Sequence, residues 1–225
     1  MKNIMKCVKY IIGFGALALA LSSCVDVKIA ATLPQNQYFS LQKLDTQSKS
    51  VACKAYRGKI GLLDIQANAP YDSSAMILFN AQSLQISELS GKKWINSPKE
   101  MLKTNLLQAF NQSCYQSTIA PFGTQKLDKI VKITLLSLQV VENTGGQNLE
   151  GQNTDSQPLT AQISIFYEVF SAQNYAQSKS GIITKELALS DSSGDSRGDT
   201  EGAKNLAQSF AHLSDELIKE LLKRL

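Results

Sequence analysis

Ala161, Ile163, Ile165, Tyr167 and Val169 alternate with Gln162, Ser164, Phe166 and Glu168, and this period of two constrains the fold more than any other stretch of the chain. A helix would scatter the apolar set around its circumference, whereas a strand gathers it on one face. The chain must then supply flanking strands and a layer that covers the apolar face. Ile130 to Val141, rich in β-branched residues and Leu, is one flanking strand, and Gly181 to Leu189 is another. Between and after them, Thr144–Gln157 and Asp191–Gly202 are rich in Gly, Asn, Gln, Ser and Asp and read as polar loops.

The first half carries shorter candidates. Tyr38 to Leu41 is an aromatic-led strand, and Asp45 to Lys54 reads as a loop. Lys59 to Ala67 is apolar enough to be a strand covered on both faces, broken by Pro70. Ala75–Phe79 and Ser83–Leu89 follow as two short strands. Ser97-Pro98-Lys99-Glu100 then combines an N-cap Ser, Pro at the first helical position and Glu three residues after the cap, a capping box. Leu102, Leu106 and Phe110 place one apolar stripe on that helix, which should end near Gln112. A Pro121/Gly123 turn leads into the long strand. A second helix, beginning near Ala203, carries Leu206, Phe210, Leu213, Leu217, Leu221 and Leu225 on one face and closes with Lys223-Arg224, favourable charges at a helix C-terminus. The expected fold is α+β: one compact domain of two strand-rich halves, each followed by an amphipathic helix packed on the sheet.

The N-terminus says where such a domain works. Lys2, Lys6 and Lys9 precede Ile11 to Leu21, eleven residues without a charged or hydrogen-bonding side chain. These are the basic and apolar regions of a secretory signal. Leu21-Ser22-Ser23-Cys24 then matches the lipobox of bacterial lipoproteins, in which the Cys24 sulfur becomes the thioether that carries diacylglycerol. The expected organisation is a signal at 1–23, a tether at 24–36 and a folded domain at 37–225. Ala18-Leu19-Ala20 offers the ordinary alternative, cleavage to a soluble periplasmic product. Eleven apolar residues fall short of the roughly 20 that a spanning helix needs. Val25, and not an Asp, follows Cys24, which favours the outer membrane over retention at the inner one.

Removing residues 1–23 from the 225 leaves 202, enough for one domain, and removes three of the 23 basic residues. The remaining 20 stand against 19 acids, a net charge of +1, so nothing argues for a nucleic-acid partner. Cys7 departs with the signal and Cys24 is acylated, leaving Cys53 and Cys114 as an even pair. In an oxidising periplasm that pair reads either as a disulfide or as two buried thiols.

Catalytic signatures are not found. His212 is the one His, flanked by Phe210 and Leu213 with Asp215 and Glu216 a turn on, which suits a helix surface pair. No nucleophile elbow, zinc-protease motif or phosphate-binding Gly-rich loop is present, so the chain is expected to be no enzyme and to need no metal or cofactor. Asp191 to Asp199 fails as a calcium loop, since Ser196 and Gly202 occupy the positions that require Gly and an acid. Arg197-Gly198-Asp199 is better read as a solvated turn than as an adhesion motif. Trp94 is expected to pack before the Ser97 cap, not to act as an interface anchor.

Taken in order, the lipobox, the Tyr38-Phe39-Ser40-Leu41 strand, KIGLLDIQANAPYDSSAMILF with Pro70, Tyr71 and Asp72 after its first strand, Lys93-Trp94 before the Pro98 helix, the strand ending Val141-Glu142, the alternating strand and a last helix near Ala203-Lys204-Asn205 resemble the ABC-type transport auxiliary lipoproteins of the paraquat-inducible Pqi type. The resemblance covers about Tyr38 to Leu225. It implies a non-catalytic, lipid-anchored periplasmic component whose partners are the MCE-domain substrate-binding protein and the permease of a lipid-moving ABC transporter. Homo-oligomeric contacts matching a ring-forming partner are expected as well. A stand-alone ligand-binding lipoprotein and an envelope-complex assembly factor are the alternatives.

Overall fold

The computed structural model describes residues 36–42, 52–142, 159–189 and 199–225. The signal, Cys24, the tether up to residue 35, most of the Asp45–Lys54 loop, the Thr144–Gln157 loop and residues 191–198 lie outside the described residues. The elements are β1 (Gln37–Phe39), β2 (Gly58–Leu62), β3 (Gln66–Ala67), β4 (Ala75–Asn80), β5 (Gln85–Trp94), α1 (Pro98–Gln112), β6 (Tyr115–Ile119), β7 (Lys129–Glu142), β8 (Leu159–Ser171), β9 (Gln177–Leu189) and α2 (Asp199–Arg224).

β7 organises the sheet because, at 14 residues, it is long enough to serve several partners. β8 runs antiparallel along one edge, from Lys129↔Ser171 to Glu142↔Leu159, and β9 pairs outside it. The other edge is shared by three parallel strands: β2 against Lys129–Val131, β3 against Thr134–Leu135 and β4 against Gln139–Glu142. β6 extends the sheet beyond β2, and β5 then β1 extend it beyond β4. Both strand-rich halves therefore meet in a single nine-stranded mixed sheet, and the domain is α+β.

The helices cover one face. Val131, Ile133, Leu135, Leu138 and Val140 of β7 and Ala161, Ile163, Ile165, Tyr167 and Val169 of β8 are buried in one cluster with Leu206, Phe210, Leu213, Leu217 and Leu221 of α2 and Met101, Leu102, Leu106 and Phe110 of α1. Each buried Leu, Ile or Phe side chain contributes about 1.5–3 kcal/mol relative to exposure. The core phase of β7 switches from odd to even numbers because the ladder shifts register between Leu135 and Ser137. The extra residue, Leu136, is exposed. Without the bulge, the second half of the strand would turn its apolar set away from the helices. The two helices are also tied directly: the buried Asn105 amide donates to Leu41 O at 3.2 Å and to Ser214 Oγ at 3.3 Å.

Several local expectations are corrected. Lys59–Ala67 is two strands, not one. Three residues lie between the ladder points Leu62 and Gln66, against two between their partners Val131 and Thr134, so the chain must leave the ladder there. Asp64, in the gap, reaches Lys103 at 3.1 Å. Ser97 caps α1 with extended backbone but makes no side-chain cap bond, so the capping box does not form. Glu100 instead pairs with Lys103 at 2.7 Å, which draws its carboxylate along the helix and away from the cap. The strand expected at Ser83–Leu89 begins at Gln85, after Leu84 takes a positive φ in the turn, and continues to Trp94. β6 was not anticipated. α2 starts at Asp199, inside the expected polar loop. Trp94 is buried in the core, edge-on against Phe210 of α2 with ring centroids 5.4 Å apart.

Candidate functional site

The sheet face opposite the helices is built by the polar phase of the same alternation. Gln139, Gln162 and Glu186 are register partners across β7, β8 and β9. Their side chains form a directed relay: Gln139 Nε2 donates to Gln162 Oε1 at 2.9 Å, and Gln162 Nε2 donates to Glu186 Oε1 at 2.7 Å. At the other end the Tyr71 hydroxyl donates to Gln139 Oε1. Burial raises the Tyr71 pKa above the usual phenol value, which keeps it a donor. Ser137 adds a bond to Gln162 Oε1 at 3.3 Å.

Parallel rungs repeat the pattern. Ser164 Oγ and Thr184 Oγ1 share a hydrogen bond of 2.8 Å, and Lys132 pairs with Glu168 at 2.8 Å. Between these rungs lie half-buried Phe166 and, opposite it, Ile182, which is 59% exposed. The polar atoms are strongly held near β7, where Ser137, Gln139 and Ser164 are buried, and become accessible toward β9. Amides, hydroxyls and one ion pair around an exposed aliphatic patch support recognition by hydrogen bonds and apolar contact.

Of the residues singled out in the sequence, Cys24 lies outside the described residues. Cys53, before β2, and Cys114, after α1, form a disulfide with Cα atoms 5.6 Å apart. Cys114 adopts φ 61°, and this left-handed turn lets the chain reverse from α1 into β6. His212 is exposed on α2 with Nε2 4.0 Å from Glu216 Oε1. No group of three or more His, Cys, Asp or Glu side chains is gathered for a metal among the described residues. No described helix is long and apolar enough to cross a membrane. The relay itself was missed: Gln162 stood visible in the polar phase of β8, but its partners depend on register and on the Tyr71 loop.

The fold has counterparts among solved structures. A Xanthomonas campestris protein of the DUF330 family superposes with a TM-score of 0.57 at 14% identity, over 84% of this chain and 89% of its own. A protein described as uncharacterized gives 0.53 at 13% identity, over 83% and 99%. A looser likeness, to a hypothetical protein of Chlamydia trachomatis, gives 0.47 at 9% identity, over 74% and 94%. No family model matches the sequence, and no curated protein matches it. At these identities the first two likenesses establish a shared fold and nothing finer.

Proposed function

We propose that this protein is a lipid-anchored periplasmic auxiliary component of an MCE-type ABC transporter that moves lipids between the inner and outer membranes. It acts by binding and performs no catalytic step. The observation that carries the reading is the joining of a lipid-attachment cysteine, Cys24 in its lipobox, to a domain with the fold of a DUF330 protein. The ordered motifs from Tyr38 to Ala203 that resemble the auxiliary lipoproteins supply the partner: the MCE subunit together with its permease. Val25 after Cys24 favours the outer membrane as the site of anchoring. The relay face of β8 and β9, away from both helices, is the surface assigned to the partner.

Site-specific photocrosslinking in cells tests this. A photoreactive residue at Ile182, on the relay face, should yield an adduct identified by mass spectrometry as the MCE subunit or permease. The same probe at His212, on the exposed side of α2, should not. Adducts from neither position to any transporter component, together with an unaltered envelope on gene deletion, would return the protein to the class of stand-alone binding lipoproteins.

A further inference from the structure

A second feature lies at the β6 edge of the sheet. The segment joining β6 to β7, residues 120–128, folds back over β2 and is pinned to it at both ends. Ala120 N–H donates to Leu62 O at 3.1 Å, and Asp128 N–H donates to Lys59 O at 2.9 Å. The Asp128 carboxylate in turn accepts from Lys59 N–H at 2.7 Å. Gly61 makes this approach possible, because a Cβ there would stand 2.5 Å from Leu127 Cδ1 and 2.8 Å from the Phe122 ring. The fold thus holds Lys126 and Lys59 as two walls of one cavity of about 250 Å³.

The chemistry of that cavity is one-sided. Both charged residues that line it are lysines, and no acidic residue lines it. The ammonium of neither lysine is engaged by an acidic side chain among the described residues, the Asp128 carboxylate being held by the Lys59 backbone N–H. Asp128, the nearby acid in sequence, is turned onto backbone N–H instead. Gln116, Thr118 and Gln125 complete the lining with amide and hydroxyl groups that have no side-chain partner among the described residues, while Ser117 is already committed to Asn111 at 3.0 Å. A concave surface carrying one sign of charge concentrates ions of the other. Lysine ammoniums serve phosphate as point charges, and neutral donors satisfy the remaining oxygens. The volume decides the size of the ligand. It falls below the roughly 300–1,000 Å³ of sites for drug-sized molecules, a size that suits a single phosphate group.

We propose that this pocket binds a phosphate-class anion, held between Lys59 and Lys126 with Thr118, Gln116 and Gln125 as neutral donors. The phosphate belongs either to a small soluble phosphoanion or to the headgroup of a lipid. The site is separate from the relay face and does not depend on the transporter partner.

The test uses the full lipidated chain, isotopically labelled, in uncharged detergent micelles at fixed ionic strength. Inorganic phosphate, glycerol 3-phosphate and dihexanoyl-phosphatidylglycerol are titrated separately, with chloride as the control, and backbone amide shifts are read by NMR. Saturable shifts confined to residues 116–127 and to Lys59 are expected. If the two soluble phosphates produce them, the ligand is a free phosphoanion; if only the phosphatidylglycerol does, it is a headgroup. Each lysine contributes a charge-assisted bond, so K59Q/K126Q should weaken binding at least about tenfold. K219Q, which removes a charge from α2, should leave it unchanged. Lys126→Glu, a reversal on an exposed loop residue, should abolish the shifts while the rest of the spectrum stays native. The assignment is overturned if no phosphate probe moves these amides more than chloride does, or if K59Q/K126Q titrates like the wild type.

Discussion

Gly61 shows how much one residue without a side chain can decide. It faces the 120–128 segment, and the space a Cβ would fill is already occupied by Leu127 and Phe122. Gly61→Ala should therefore displace the segment and strain its bonds to β2. Overpacking of this kind typically costs about 1–3 kcal/mol. In urea unfolding the midpoint should fall with the slope unchanged; a midpoint equal to the wild type would mean that the segment yields freely. Gly123, in the same segment, has φ 58° and open space around its Cβ position, so its requirement is conformational and not steric. Trp94 carries the opposite lesson. It is 1% exposed and its Nε1 has no hydrogen-bond partner among the described residues, so packing, including the edge-on contact with Phe210, holds it.

At the scale of elements, the disulfide and the C-terminal end of α2 both fix the end of the sheet at which β2, β6 and β7 begin. Cys53–Cys114 spans 61 residues and joins the approach to β2 to the α1–β6 turn, so β6 is set beside β2 by a covalent link as well as by its ladder. Closing a loop of that length contributes about 2–4 kcal/mol. Paired replacement by Ser should lower stability by that amount in urea, and alkylation without reductant should label neither thiol in the wild type. Labelling of both would show that the bond is absent in the purified protein. On the β7–β9 side Lys179 Nζ donates to Arg224 O at 2.7 Å and Lys129 Nζ donates to Leu225 O. These lysines satisfy carbonyls that the end of α2 leaves without helical partners, and they place positive charge at the negative end of its dipole. Arg224 bridges Glu220 and the Tyr167 hydroxyl, which lies beneath it on β8. The hydrogen bond from Arg224 holds the Glu220 carboxyl below the usual carboxylate range.

For the whole molecule, the issue is whether the domain works only when held at a membrane. On the proposed lipoprotein reading Cys24→Ala removes the sulfur that would accept diacylglycerol, so incorporation of radiolabelled fatty acid should fall to background. If the proposed transporter role is right, a chain exported without residues 1–24 should fold but restore envelope integrity poorly, because a tether raises the effective concentration of the domain near its partner. Label retained by Cys24→Ala would remove the lipoprotein reading, and full complementation by the untethered chain would remove the dependence on anchoring.

Much of this was present in the order of residues. The period of two from Ala161 to Val169 determined which side chains of β8 enter the core, and the spacing of Leu206, Phe210, Leu213, Leu217 and Leu221 determined the face that α2 lays on the sheet. These are local patterns: the side chain's direction follows from its position along a regular element, whatever lies across from it. Register, curvature and partner choice are not local. The bulge at Leu136, the division of Lys59–Ala67 between two strands, and β6, whose Tyr115–Ile119 carries little apolar signal, all depend on what β7 offers along its edges. So do the Tyr71–Gln139–Gln162–Glu186 relay and the pairing of Lys59 with Lys126 about one cavity. Each brings together residues many positions apart, and their meeting is settled only when the ladder locks and the helices close over one face.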